Sequence, residues 1–215
     1  MILVKPSFEI LSVMSEGQEL SLIEVAGRVC YKSEDKITPT SSQQFCQRLT
    51  KLGHESVIEH SAMMVKFIVD RGVSHELVRH RLCAVSQEST RYCNYKGGVT
   101  YVIPPWIKLP AGEYDDDFDV DILSPEERTW YIAMVNDEID YKILLSSWSP
   151  QQARSVLPNS LKTEIVVTAN FREWRHIFKL RTSKAAHPQM REIMIPLLKE
   201  AKQRIPVIFD NIEGE

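Results

Sequence analysis

The nine residues from Ala62 to Asp70 read AMMVKFIVD, a run that is apolar on both faces and rich in β-branched and aromatic side chains. Such a run is typical of a well-buried strand. Residues 161–169 read LKTEIVVTA, in which Thr163, Ile165 and Val167 alternate with polar neighbours. Alternation of this kind predicts a half-buried strand. These two segments are the clearest strand predictions in the chain.

Helical patterns surround these strands. The remaining predicted elements are one or two short strands in the first 13 residues, a helix from Ser21, a helix from Thr40 or Ser41 to Gly53, a short helix from Ser74 to about Leu82, a loop at 86–98, a strand at 100–104, an acidic loop at 113–121, a helix from Ser124 to Leu144, one or two helical turns at 151–157, and helices at 171–180 and 188–204. Helices and strands interleave too irregularly for a repeating βαβ pattern. We therefore predict an α+β fold, a single domain of residues 1–215 with a mainly antiparallel sheet flanked by helices.

Composition limits the classes of function. The 215 residues carry a net charge of -3 with a pI near 6.1, which argues against a protein that holds long nucleic acid through many phosphates. No stretch approaches the roughly 18 consecutive apolar residues of a membrane span. The start MILVKPSFEI does not resemble a signal peptide, and the four cysteines are scattered without a paired motif. We expect a cytoplasmic protein with free thiols, no membrane association and a local anion site.

A polar segment begins with Arg79, His80 and Arg81, at the end of the short helix predicted from Ser74. Taken alone, these residues could be cations in the last turn of a helix, where they favour the helix dipole. The continuation is Ser86 to Tyr95, which supplies hydroxyl, amide, guanidinium and phenol groups. Guanidinium and hydroxyl groups suit phosphate, and amides can bind a base edge. The segment therefore predicts a nucleotide site.

Two other clusters are possible sites. HESVIEH at 54–60 has Ile58 where a metalloprotease motif needs histidine, so we expect no metal. The last third of the chain contributes a group that could equally be surface arginines on amphipathic helices. Its members are Arg154, Asn170, Arg172, His176 and Arg181.

Together these motifs resemble the flavin-dependent thymidylate synthases. The family signature is RHR, seven residues and serine, matched here by residues 79–81 and Ser89; GHES at 53–56, ARSVLP at 153–158 and the Asn170-x-Arg172 pair also resemble it. The resemblance covers roughly residues 21–204. It implies methylation of dUMP to dTMP, with methylenetetrahydrofolate as carbon donor and NADPH-reduced FAD as hydride source. It also implies a homotetramer whose sites are shared between subunits.

The resemblance also implies residue roles. The implied FAD contacts are Ser56, Arg79, His80, Arg81, Gln87, Asn170, Arg172 and His176. The implied dUMP contacts are Glu76, Arg79, Gln87, Glu88, Ser89, Thr90, Arg91, Arg154 and Arg181. By similarity Arg181 is the catalytic residue, because a permanent cation can polarise the uracil ring. No protein nucleophile is expected, so Cys83 and Cys93 need not be catalytic.

Three positions depart from the family pattern. Glu76 stands where glutamine is frequent, and His176 stands where asparagine is frequent. The spacing from Arg181 to His187 is longer than in some members, which leaves the role of His187 open. Alternatives to thymidylate synthesis are a nucleotide-binding flavin reductase and a non-catalytic nucleotide or RNA binder that stacks bases on Tyr92 and Tyr95.

Overall fold

The computed structural model describes residues 1–14 and 17–214. Seven strands and eight helices occur in the described residues. The strands are β1 (Ile2–Val4), β2 (Ser7–Val13), β3 (Ala62–Asp70), β4 (Cys83–Gln87), β5 (Thr100–Val102), β6 (Gly112–Glu113) and β7 (Lys162–Asn170). The helices are α1 (Glu19–Val29), α2 (Ser41–Leu52), α3 (Arg71–Leu77), α4 (Pro125–Leu144), α5 (Pro150–Ala153), α6 (Phe171–Arg181), α7 (Pro188–Arg204) and α8 (Pro206–Phe209), with short 3-10 helices at Glu34–Lys36, Glu55–His60, Val120–Ile122 and Arg154–Val156.

The four longest strands form one sheet in the order β2-β3-β7-β4. Backbone N–H groups of Arg71 and Phe171 donate to the carbonyls of Leu161 and Ser61, respectively, so the end of each central strand lies at the start of the other. The two central strands are therefore antiparallel. A three-stranded sheet has the order β5-β1-β6, with β1 parallel to β5 and antiparallel to β6. The α+β prediction with a mainly antiparallel sheet is confirmed.

The chain divides into two compact units. The first comprises residues 1–7, 67–79 and 86–165. The second comprises residues 8–14, 17–66, 80–85 and 166–214. In the first unit a buried cluster includes Leu3, Tyr101, Tyr131 and Tyr141.

The core of the second unit contains the fully buried aromatic residues Phe171, Trp174, Phe178 and Phe209, which meet at ring-centroid distances of 5.5–5.6 Å. Aromatic packing at this spacing adds to the stabilisation from buried apolar area.

The structure corrects two predictions in the segment that follows β3. The short helix begins at Arg71, not Ser74, because Asp70 Oδ1 accepts a hydrogen bond of 2.7 Å from the N–H of Val73 and so caps the helix. The helix ends at Leu77 instead of near Leu82. The segment predicted as a loop from residue 86 instead begins with the last two residues of β4.

Other predicted elements agree with the structure apart from their ends. The first helix begins two residues before Ser21, and the strand expected at 100–104 ends at Val102. Ser124 caps α4 through a capping box with Glu127, as the Ser-Pro start predicts. Within the described residues, no helix is both long and apolar enough to span a bilayer.

Candidate functional site

The predicted site residues fall into two groups, one in each compact unit. The first unit contains Glu76, Arg79, Gln87, Glu88, Ser89, Thr90, Arg91 and Arg154. The second unit contains Ser56, His80, Arg81, Asn170, Arg172, His176 and Arg181.

The RHR motif lies in the turn between α3 and β4, so its residues are not in the last turn of a helix. His80 is buried, with 6% of its surface exposed, whereas Arg79 and Arg81 are exposed. Nε2 of His80 accepts a hydrogen bond of 3.0 Å from Nε of Arg181, the last residue of α6. The structure therefore joins the motif histidine to the predicted catalytic arginine, 101 residues farther along the chain.

His80 is neutral near pH 7. Its pKa falls from 6.5 to about 4, first because burial disfavours the charged ring and then because Arg181 and His176 lie nearby. The ring of His176 meets that of His80 edge-on, with the centroids 5.8 Å apart. The neutral ring of His80 can therefore accept a hydrogen bond from a cation without repelling it.

The hydrogen bond also determines which ring nitrogen of His80 carries the proton. A guanidinium can only donate, so Nε2 is the acceptor and Nδ1 bears the hydrogen. Nδ1 faces Oε1 of Glu173 at 3.6 Å, which is longer than an ordinary hydrogen bond. His80, Glu173 and His176 are the one group of three possible metal ligands among the described residues. Because Nδ1 is protonated, this geometry does not favour a metal ion.

A cavity of about 650 Å³, termed the α6 cavity, opens beside the start of α6. It is lined by Asn170, Arg172 and His176, for which the family resemblance implies FAD contacts. The rest of its lining consists of Glu55, Glu59, Leu82, Glu173 and Lys179. All of these residues belong to the second unit. Ser56 and Arg81 are exposed and lie outside this lining.

Asn170 and Arg172 both have partners inside the protein. Oδ1 of Asn170 accepts a hydrogen bond of 2.9 Å from the N–H of Glu173 and so begins α6. This bond satisfies one of the amides left unpaired at a helix start. Nη1 of Arg172 donates to Oε1 of Glu59 at 2.6 Å, and both side chains are largely exposed. The amide oxygen of Asn170 and one guanidinium nitrogen of Arg172 are therefore engaged within the protein.

Glu55, which also lines the α6 cavity, is bound by two cations. Its carboxylate accepts a hydrogen bond of 2.9 Å from Nε of Arg175 and lies 3.5 Å from Nζ of Lys179. Burial raises the pKa of Glu55, but the bonds from Arg175 and Lys179 outweigh burial and lower it overall. Arg175 is itself buried and also donates to the carbonyl of Ile208 and, at 2.8 Å, to Oδ1 of Asn211. The contacts of Arg175 with the C-terminal segment therefore hold this part of the cavity lining in place.

In the first unit, Glu88 anchors the loop that follows β4. Its Oε1 accepts a hydrogen bond of 2.7 Å from the Tyr95 hydroxyl. Its Oε2 accepts bonds of 3.0 Å from Nζ of Lys162 and 3.2 Å from the N–H of Glu164. Burial and these contacts with Glu88 raise the pKa of Tyr95, so the phenol stays protonated. Both oxygens of the Glu88 carboxylate are thus engaged within the protein.

Gln87 is oriented in a similar way. Its Nε2 donates to Oγ of Ser74 at 2.8 Å and to Oγ1 of Thr163 at 3.2 Å. Nη1 of Arg71 reaches the same threonine hydroxyl at 3.4 Å and the carbonyl of Glu88 at 3.3 Å. The amide nitrogen of Gln87 is therefore occupied, which leaves its carbonyl oxygen as the group able to meet a ligand.

The remaining loop residues form a tight turn. Thr90 is buried, and its Oγ1 accepts a hydrogen bond of 3.2 Å from Nη1 of Arg154. Oγ of Ser89 accepts a bond of 3.3 Å from the N–H of Arg91. The guanidinium of Arg91 lies 5.4 Å from the ring centroid of Tyr92, and both residues are exposed. The turn thus places two arginines beside a serine and a threonine hydroxyl, a donor set suited to phosphate.

A family model described as "Thymidylate synthase complementing protein" matches residues 9–207. The flavin-dependent thymidylate synthase of Corynebacterium glutamicum is 33% identical over 214 residues, which cover 93% of this chain and 82% of the relative. The chain belongs to the family of flavin-dependent thymidylate synthases. The enzyme of that name from Mycobacterium tuberculosis is 32% identical over 206 residues, 90% of this chain and 79% of the relative.

Solved structures share the fold of the flavin-dependent thymidylate synthases. The UMP/dUMP methylase PolB from Streptomyces cacaoi, bound with 5-Br dUMP, has a TM-score of 0.79 at 23% identity and covers 98% of this chain and 96% of its own. Thymidylate Synthase X from Helicobacter pylori, with FAD and dUMP, has a TM-score of 0.75 at 18% identity and covers 96% of this chain and 98% of its own.

Three residues that support this site were not predicted. Glu173 faces His80, Lys162 bonds Glu88, and Arg71 holds the carbonyl of Glu88. Lys162 could have been identified from the sequence, because it lies on the same face of the predicted strand as Glu164 and both are polar. Nothing in the sequence of this thymidylate synthase family member connects Glu173 to the RHR motif, since the contact spans the chain.

His187, whose role the sequence left open, caps a helix. Its Nδ1 accepts a hydrogen bond of 3.4 Å from the N–H of Gln189 at the start of α7. The side chain of this histidine therefore has a structural use in this family member. Glu76 lies half-buried on α3, and His176 lines the α6 cavity.

Proposed function

We propose that this chain catalyses the reductive methylation of dUMP to dTMP. Methylenetetrahydrofolate supplies the one-carbon unit, and NADPH supplies two electrons through FAD, so that tetrahydrofolate and NADP⁺ are the other products. The observation that carries the proposal is the hydrogen bond between His80 of the RHR motif and Arg181, in a chain of the flavin-dependent thymidylate synthase family. Two distant family motifs are thereby brought to one place.

Arg181 is the proposed catalytic residue. Its Nε is hydrogen-bonded to His80, which directs the guanidinium of Arg181, and in the proposed reaction this guanidinium binds the uracil ring. A guanidinium remains charged at any working pH and stabilises negative charge that develops on the base. His80 holds the arginine without a competing charge, because its own low pKa keeps the ring neutral.

The residues of the α6 cavity fit the ring of FAD better than its diphosphate. Asn170 and His176 supply N–H groups of the kind that bind ring oxygens and nitrogens, and Leu82 supplies apolar surface. The lining has three carboxylates against the cations Arg172 and Lys179, which does not favour phosphate. We therefore expect the exposed Arg79 and Arg81 of the RHR motif to bind the diphosphate, with Ser56 and Gln87 as further contacts. FAD bound in this way supplies hydride-transfer chemistry.

Some of the proposed dUMP contacts of the first unit bind the ligand directly, and others hold those residues in place. Arg91 and Arg154 bind the phosphate or the base, and Ser89 contributes its hydroxyl. Thr90 braces Arg154 through their hydrogen bond. Glu88 acts by holding the loop in shape, since its carboxylate oxygens are engaged by Lys162 and its other partners. Glu76, Arg79 and Gln87 complete the proposed dUMP set.

We propose further that residues 1–215 form one domain and that the protein is a cytoplasmic homotetramer with sites shared between subunits. Family membership supports the tetramer, and the four free cysteines suit a reducing compartment. The sharing of sites is tested by mixing two inactive variants, Arg181→Ala and Arg91→Ala. Activity regained after mixing supports shared sites, and mixtures that stay inactive contradict them.

The activity is tested with purified protein. We expect a yellow protein whose NADPH oxidation accelerates on addition of dUMP, and transfer of labelled methylene carbon into dTMP. UMP should be assayed in parallel, since one protein of the same fold is described as a UMP/dUMP methylase. Flavin-dependent NADPH oxidation without labelled dTMP would instead support the flavin reductase alternative. Colourless protein that cannot take up FAD would overturn the proposal.

A further inference from the structure

The side-chain amide of Gln87 is held by two buried hydroxyl groups, one on α3 and one on β7. Its Nε2 donates to Oγ of Ser74 at 2.8 Å and to Oγ1 of Thr163 at 3.2 Å. Ser74 and Thr163 have 0% and 1% of their surface exposed, whereas Gln87, the last residue of β4, is half-buried. Two contacts from inside the protein therefore determine how this amide is turned.

The hydrogens of this network follow from the chemistry of its members. Oγ of Ser74 donates its one hydrogen to the carbonyl of Arg71 at 3.0 Å, so toward Gln87 it can only accept. Oγ1 of Thr163 also accepts from the guanidinium of Arg71, at 3.4 Å, since a guanidinium can only donate. The group of Gln87 that lies between the two hydroxyls is therefore its NH₂. Both amide hydrogens are engaged there, and the carbonyl oxygen is left to bind a ligand.

The reverse orientation of the Gln87 amide is disfavoured. It would turn the carbonyl oxygen toward Ser74, whose hydroxyl hydrogen is already donated to Arg71. Two buried acceptors would then face each other without a hydrogen between them, which is costly inside a protein. In the wild type the amide therefore has one orientation.

The same pair of strands also holds the next residue. The N–H of Glu88 donates to the carbonyl of Glu164 at 2.8 Å, and Nζ of Lys162 donates to Oε2 of Glu88 at 3.0 Å. Adjacent residues of β7, at 162 and 163, thus fix adjacent residues at the end of β4. A side chain fixed in this way loses little conformational freedom when it binds a ligand.

We propose that Thr163 and Ser74 are positioning residues, which make Gln87 an acceptor-only contact for the nucleotide. The choice of nucleotide rests on the proposed function. Outside its phosphate, dUMP has two hydrogen-bond donors, the imide N–H of uracil and the 3′-hydroxyl of deoxyribose. The carbonyl oxygen of Gln87 accepts from one of them. Thr163 and Ser74 therefore influence nucleotide selection without touching the nucleotide.

The test measures discrimination between nucleotides, by calorimetry on the full chain loaded with FAD. The ligands are dUMP, 3-methyl-dUMP, which lacks the imide N–H, and 2′,3′-dideoxy-UMP, which lacks the hydroxyl. The wild type should bind the analogue without the contacted donor about tenfold more weakly than dUMP. In Thr163→Val one amide hydrogen loses its acceptor, so the amide can turn over and this ratio should fall to about threefold. Such a fall corresponds to the competent orientation in about one-third of the molecules.

Thr168→Val is the matched control, because Thr168 lies on the same strand with its side chain on the opposite face. Its ratio should stay at about tenfold. Ser74→Ala is the second variant and should lower the same ratio. Gln87→Leu should remove the discrimination, and adding Thr163→Val to it should change nothing further, because Thr163 acts through Gln87. A merely structural role would weaken dUMP and both analogues alike and leave the ratio unchanged.

The analogue whose ratio falls identifies the donor that Gln87 accepts from. If the wild type binds all three nucleotides alike, or if neither ratio falls in Thr163→Val and Ser74→Ala, the inference is overturned, even where the wild type forms labelled dTMP. If a ratio falls while the wild type forms no dTMP, the proposed function fails and the role of Thr163 and Ser74 stands.

Discussion

Acid should destabilise this protein through His80. The histidine has a pKa of about 4 in the folded chain against 6.5 when unperturbed. Between these values the unfolded chain binds a proton that the folded chain does not, so the free energy of unfolding falls as pH decreases through this window. It is constant above the window and again below it, as far as His80 is concerned.

The magnitude follows from the shift. The difference between 6.5 and about 4 is about 2.5 pKa units, and each unit corresponds to about 1.36 kcal/mol, so that the full loss is about 3.4 kcal/mol. His80→Gln should abolish this part of the acid dependence, because glutamine cannot bind a proton. Its amide oxygen can still accept the hydrogen bond from Arg181, which preserves the local geometry.

Urea denaturation from pH 4 to 7 measures the effect as the difference between wild type and His80→Gln. The exposed His60→Gln serves as the matched control for loss of a histidine. The NMR signal of the His80 ring should titrate near pH 4. Equal acid losses in wild type and His80→Gln, or a His80 ring that titrates at 6.5 or above, would refute the reasoning.

Four further outcomes are expected. Arg181→Ala should reduce methyl transfer by about 100-fold or more; turnover near that of the wild type would exclude the catalytic role. Ser89→Ala should keep measurable methyl transfer, whereas complete loss with normal dUMP binding would favour a covalent nucleophile. Lys162→Met should lower the free energy of unfolding by about 2 kcal/mol, since Glu88 loses a charged partner, and unchanged urea denaturation would contradict this. Gly27→Ala should cost about 1–3 kcal/mol through its clash with Phe45; a smaller cost when Phe45 is also replaced by leucine would verify the cause.

Strands and helices with strong local patterns could be predicted from the sequence. The alternation from Leu161 onward and the Ser124-Pro125 start each gave an element within a few residues of the observed bounds. β4 could not be predicted, because it is a short edge strand whose central residues are exposed and show no alternation. Patterns of burial reveal a strand only when one face is covered.

The start of α3 shows a second limit. Glycine at position 72 favours a turn between the strand and the predicted helix. Instead, Asp70 caps the helix directly from the strand, and a Cβ at Gly72 would lie 3.1 Å from the Asp70 carboxylate. The glycine thus makes room for a cap. The glycine favours a turn, whereas the aspartate favours a helix cap. The hydrogen bond that the N–H of Val73 donates to Asp70 shows that the cap forms.

The candidate site was predictable as a set of residue types but not as a set of contacts. The hydrogen bond from Arg181 to His80 depends on tertiary structure, as does the enclosure of Glu88 by Tyr95 and Lys162. Sequence motifs supply the members of such a network. The folded structure is needed to show which oxygen or nitrogen of each side chain forms the hydrogen bond.

Asn170 limits how this protein can evolve. Its side-chain oxygen starts α6, the residue lines the α6 cavity, and its amide nitrogen is a possible donor to a ligand there. Asp or Ser at this position keeps a helix cap but gives up the amide donor, and Gln keeps the amide but is a poorer cap. Each of these replacements therefore loses one of the two functions, and among the residues compared only asparagine supplies both.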